Sequence, residues 1–234
     1  RMLPMLFAAR PGPGRDLFWI AALHGGGALG LGAALLFLPA AVPLFSLVAA
    51  LAVGGFLVHG AAMAWRRVRP ALFRSAFDPT PVHAGLALAA LAVATVLGVA
   101  IACRPGDLTL RRAIVPYGIV ALLGFLAQMV FAVTGLLAPA YAWIRRHGRG
   151  SPGETARQPA PSPIPLDFRA SLPYLRTILA GWGLGVPVLA AGAFFARSAL
   201  IQPGALLLLV ATLTSAAHLV ALAVSPPARP IGPT

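Results

Sequence analysis

Six long apolar stretches constrain this chain more than any other feature. They run from Leu17 to Leu38, Val42 to Trp65, Pro81 to Ala102, Ile114 to Ile144, Leu175 to Phe195 and Pro203 to Val224. Each supplies the roughly 20 residues that a helix rising 1.5 Å per residue needs to cross a hydrocarbon layer of about 30 Å. The fourth is long enough to tilt or to protrude. With 59% hydrophobic and 10% charged residues, the composition excludes a water-soluble globular domain, a disordered chain and a disulfide scaffold. The fold class predicted is all-α: a polytopic membrane bundle of six transmembrane helices.

Arginine fixes the expected orientation. All 18 basic residues are Arg. Arg1, Arg10, Arg15, Arg66, Arg67, Arg69, Arg74, Arg145, Arg146, Arg149, Arg157, Arg169, Arg176 and Arg229 fall on one side of the six spans. Only Arg104, Arg111, Arg112 and Arg197 fall on the other. The richer side is predicted to be cytoplasmic, with both ends of the sequence inside. The net charge of +13 therefore points to anionic lipid headgroups, not to nucleic acid. The expected location is the bacterial inner membrane, and the expected partners are the lipid bilayer and other membrane subunits.

The chain divides into residues 1–16, the tail of a preceding helix and a cytoplasmic segment; 17–144, a four-helix membrane part; 145–173, a Pro- and Arg-rich cytoplasmic linker; 174–225, a two-helix membrane part; and 226–234, a cytoplasmic tail. Arg66–Phe77, with Arg alternating with apolar residues, is compatible with a short interfacial helix or with a basic loop. RMLPMLFAARPG at the start resembles GLLAPAYAWIRRHG at 135–148, an echo that suits a membrane protein built from repeats.

Catalytic chemistry has little to work with. The acids are Asp16, Asp78, Asp107, Glu154 and Asp167, all read as loop residues. No span offers the buried carboxylate that proton-coupled transport usually uses. Cys103 is the only cysteine, and no complete catalytic motif is present, so a non-enzymatic role is expected. The remaining signal is histidine. His24, His59, His83 and His218 lie in or at the ends of four spans, all towards the expected cytoplasmic face. Neutral imidazoles at matched depth could hold a haem by its axial positions, or a copper ion. His147 falls in the Arg-rich loop and is expected to be solvated. Gln128 is expected to hydrogen-bond a neighbouring helix. The pairs Gly26/Gly30 and Gly181/Gly185 allow close helix approach. Gly183, Gly185 and Pro187 mark a kink or break in the fifth span.

His59-Gly60-Ala61-Ala62-Met63 resembles the His-Gly-x-x-Met of a haem-bearing helix in haem–copper oxidase subunit I, but here the span ends two residues later, at Trp65-Arg66, where in that family the apolar stretch continues. More broadly, Tyr117–Trp143 resembles a helix type of NnrS-like and haem–copper-subunit-I-like bacterial membrane proteins, through Gly124-Phe125, Gln128-Met129 and Leu136-Leu137-Ala138-Pro139. About a third of the chain is covered. The resemblance implies shared ancestry and fold more than activity. In those proteins a histidine opens the helix; here Tyr117 stands in its place, so no ligand carries over to this span.

Three functions are compatible with these residues. The first is a non-catalytic subunit or scaffold of a bacterial respiratory or electron-transfer assembly. The second is a haem or copper redox protein using the four histidines, and the third is a transporter of a neutral or anionic solute around Gly183–Pro187.

Overall fold

The computed structural model describes residues 15–65, 79–147 and 166–224. The helices are α1 (Arg15–Phe37), α2 (Val42–Trp65), α3 (Pro79–Cys103), the short α4 (Leu108–Arg112), α5 (Ile114–Ile119), α6 (Gln128–His147), α7 (Leu166–Phe194) and α8 (Ser198–Val224). A π-helical segment, Val120–Ala127, joins α5 to α6 without a break. Six continuous stretches are long and apolar enough to span a membrane: Asp16–Phe37, Pro39–Trp65, Pro79–Cys103, Ile114–Ala142, Ser171–Phe194 and Ser198–Val224. The protein is an all-α, multi-pass membrane bundle. Since the spans are even in number, both ends of the described chain lie on one side, here called the Arg-rich end.

Two expected boundaries move. α7 begins at Leu166 and runs through Pro173 and Pro187 as one helix, so the expected linker is shorter than 145–173 at its far end. α8 begins at Ser198 and passes Pro203. Proline removes one backbone bond but leaves the flanking turns in place when neighbouring helices hold them. Asp16 sits in the first turn of α1 and Asp167 in that of α7, not in loops. At Asp16 the negative charge complements the positive end of the helix dipole. The segment 66–77, the opening RMLPMLFAARPG and most of the Pro-rich linker lie outside the described residues.

α1 and α2 form an antiparallel pair, while α7 and α8 share the most extensive interface. α3 stands centrally, against α2, α6, α7 and the π segment. The faces that meet are built from small residues. A Cβ on Gly181 would lie 2.7 Å from the Ala211 Cβ, one on Gly185 2.9 Å from the Leu208 side chain, and one on Gly204 2.7 Å from the Leu189 backbone nitrogen. Gly181/Gly185 therefore packs within the chain, α7 on α8. On α1 the packing pair is Gly27, against Ala49, and Gly30, against Phe45; Gly26 faces open space.

Glycine's absence is instructive in the α7–α8 turn. Arg197 N–H donates to the Gly192 carbonyl at 2.9 Å and Ala196 N–H to Ala193 at 3.4 Å. This is the paired closure of a Schellman cap, in which the residue after the helix turns left-handed. Ala196 holds that place at φ 51°, where a Cβ is strained. Ala196→Gly is expected to raise stability by about 1 kcal/mol, read as a higher Tm in detergent. At the same end of the bundle, Asp107 caps α4, accepting from Thr109 N–H at 2.8 Å and Leu110 N–H at 3.3 Å. Asp107→Ala is expected to lower stability by about 1 kcal/mol on the same measurement.

Candidate functional site

The four histidines differ in environment. His24 is exposed on the outer face of α1 and His59 is half-buried on α2, whereas His83 on α3 and His218 on α8 are buried. They do not share one level. A Cβ on Gly60, next to His59, would lie 3.1 Å from the Leu88 side chain, and Leu88 is about 7 Å along α3 from His83 at 1.5 Å per residue. Gly27, three residues beyond His24, packs on Ala49, about a third of the way along α2 and ten residues before His59. Among the described residues no group of three or more His, Cys, Asp or Glu side chains converges.

Buried polar groups on α3, α6, α7 and α8 nonetheless occupy successive levels along the bundle, a column of levels whose register interhelical contacts fix. A Cβ on Gly135 would lie 3.1 Å from the Leu175 side chain and 3.7 Å from Thr80 Oγ1. Thr80, Gly135 and Leu175 therefore share a level. Tyr174, beside Leu175, stacks on His218 with ring centroids 5.1 Å apart and planes at 17°. His83 lies about one turn further along α3. Two turns from Gly135 and Leu175, about 10 Å deeper, sit Gln128 and Trp182. The Trp182 ring meets Phe131, one turn from Gln128, at 4.8 Å.

Several polar atoms in this column have no partner in the protein. Both ring nitrogens of His83, Gln128 Oε1, Trp182 Nε1 and His218 Nε2 are buried without a hydrogen bond. His83 is only 1% exposed and Gln128 only 3%. Gln128 Oε1 accepts no hydrogen bond from a neighbouring helix. Each unmet buried group costs about 1–3 kcal/mol. Pro139, fully buried at the Arg-rich end of the column, has no N–H to give to the Gly135 carbonyl.

Beyond Trp182 the core turns apolar. Ala94, Val186 and Ala190 are buried, and a Cβ on Gly124 would lie 2.9 Å from the Ala90 Cβ. Near His83 the α3–α6 seam closes on Ala84, Ala87 and Ala132, each without exposed surface. A haem macrocycle does not fit in that seam. Nor do the placements of His24 and His59 gather a multi-histidine copper site with His83. Pro187 lies inside an unbroken helix, and Gly183 beside it packs on Leu86 of α3.

At the end opposite the column, a cleft of about 300 Å³ is lined by Ile101, Arg104, Pro105, Leu110, Arg111 and Ile114. Its two guanidinium groups belong to Arg104 and Arg111, between the spans Pro79–Cys103 and Ile114–Ala142.

Trp182, Thr80 and Ser171 were not singled out by the sequence as buried polar positions. The available signal was residue size: buried polar side chains here share helix faces with Ala and Gly, while many Leu and Val side chains point outwards. Comparison with known proteins finds no matching family model, no similar curated protein and no similar solved structure.

Proposed function

We propose that this chain is a non-catalytic integral subunit, a helical scaffold, of a bacterial membrane assembly of respiratory or electron-transfer type. The observation that carries this reading is the outer face of α1. Gly25, Gly26 and Gly32 have nothing within 4 Å of a built Cβ, and His24 is exposed beside them. Small residues let a neighbouring helix approach the backbone closely, and an imidazole at that depth gains from a polar partner. A bundle surrounded by lipid alone uses neither. The electron-transfer setting rests on the resemblance of Tyr117–Trp143 to helices of haem–copper-type proteins. The close packing around His83 favours a subunit that supports redox partners over one that holds a macrocycle itself.

The test is gentle solubilisation of native membranes, native electrophoresis and identification of the co-migrating proteins. The expected result is a defined complex well above 24.0 kDa that contains a redox subunit and breaks up when Gly25 and Gly32 are both changed to Leu. Migration of the unaltered chain only as a free monomer would sink the proposal.

A further inference from the structure

We propose that the cleft at the end opposite the polar column binds the headgroup of an anionic phospholipid, with its phosphate held between Arg104 and Arg111. One cavity of about 300 Å³ brings these two side chains together with Ile101, Pro105, Leu110 and Ile114. Two cations beside four apolar side chains match an amphiphile better than a free ion. Arginine binds phosphate through paired N–H donors, and the apolar residues suit the glycerol backbone and the first acyl carbons. The place in the fold agrees. Arg104 directly follows the span Pro79–Cys103, and Arg111 stands three residues before the span Ile114–Ala142. The ends of spans mark where hydrocarbon gives way to headgroups. Ile114 lines the cleft and is also 52% exposed, so the apolar wall continues onto the membrane-facing side of its span.

The backbone that carries both arginines is already ordered. Arg104 N–H donates to the Ala100 carbonyl at 3.2 Å, Asp107 N–H to the Arg104 carbonyl at 3.1 Å and Arg111 N–H to the Asp107 carbonyl at 3.0 Å. Binding therefore costs little ordering of the loop. Asp107 is the only acid at this end among the described residues. Its Oδ1 accepts from Thr109 N–H and Leu110 N–H, which directs the carboxylate to the start of α4. Arg112 and Arg197 lie at the same end, so four arginines stand there against one carboxylate. That balance repels the ammonium of a zwitterionic lipid and selects a headgroup that carries no cation.

The test is lipid retention by the whole chain in detergent, given mixed micelles of phosphatidylglycerol or phosphatidylcholine and read by native mass spectrometry. The unaltered chain is expected to keep phosphatidylglycerol and to release phosphatidylcholine. Arg104→Gln combined with Arg111→Gln is expected to weaken retention about thirty-fold, at about five-fold for each arginine near a headgroup. Arg112→Gln combined with Arg197→Gln removes the same charge from the same end and leaves the cleft lining intact. Its expected loss is at most about three-fold, because separated exposed charges are screened. All four arginines are exposed, so neither pair of changes disturbs the core. Equal losses in the two double variants would reduce the effect to general attraction and overturn the site. Equal retention of the two lipids by the unaltered chain would do the same. Displacement of phosphatidylglycerol by millimolar inorganic phosphate at constant ionic strength also overturns the proposal, because the apolar lining then contributes nothing.

Discussion

Trp182→Ala is expected to lower the stability of the bundle by about 3–5 kcal/mol, the range for removing a buried aromatic side chain. Trp182 is buried in a cluster with Ile178, Val186, Leu208 and Ala211, with Ile119, Leu123 and Phe131 packed around it. Three spans meet on this ring, so its loss opens a cavity that backbone shifts in one helix cannot fill. Trp65, 92% exposed at the end of α2, is the control. Trp65→Ala is expected to change Tm little, because an interfacial indole contributes no interhelical packing. Thermal unfolding of the two variants in one detergent checks the pair; equal shifts would mean that Trp182 is not at the centre of the core.

Gly181→Leu carries the second large effect, for the opposite reason. A Cβ there would stand 2.7 Å from the Ala211 Cβ and 3.0 Å from the Leu207 carbonyl oxygen. The second obstacle is backbone and cannot rotate away. Overpacking of this kind costs about 1–3 kcal/mol for modest additions, and a whole leucine side chain belongs at the top of that range. The expected reading is loss of the α7–α8 interface, seen as lower Tm and faster proteolysis in the α7–α8 turn. Gly26→Leu on α1, where nothing lies within 4 Å, is expected to leave both unchanged in the isolated chain.

The contrast between these glycines shows what could be read in the sequence. The six spans were legible because length and hydropathy are set by the membrane, whatever the helices pack against. Helix faces were harder to see. In a soluble helix the apolar stripe marks the core, but here both the lipid side and the core side are apolar. The pair Gly26/Gly30 therefore looked equivalent to Gly181/Gly185, although Gly26 points outwards. A rule inverted with respect to water recovers much of the core: small and polar residues face in, large aliphatic ones face out. On α8 the buried Gly204, Ala211, Ser215 and His218 follow it, as do the exposed Leu206, Leu209, Val210, Leu213 and Val220; Leu208, buried, is the exception.

The histidines illustrate the same limit. Their distances from span ends could be counted, but not which way each ring pointed. His24 and His83 look alike as isolated polar residues in apolar runs, yet one is exposed and the other is among the most buried side chains in the protein. Gln128 was visible as a polar residue near mid-membrane. Its unmet oxygen was not, because that depends on which side chains the neighbouring helices bring to it.

The wide turn at Val120–Ala127 acts as a phase adjuster within a single span. An α-helix advances about 100° per residue, whereas a helix bonded from i to i+5 is wound more loosely. The segment thus resets the angle between the helix before it and the helix after it. Before it, Pro116 is buried and the Tyr117 ring lies against Gly98 of α3; after it, Gln128, Ala132 and Gly135 also turn inwards. Removing one residue from the segment would let α-helical winding run straight through. Winding all eight residues as α-helix would instead swing Pro116 and Tyr117 around the axis, off the seam they occupy. One half of the span can therefore be matched to α3 without disturbing the other, so the surface near Tyr117 and the polar column near Gln128 are free to change independently.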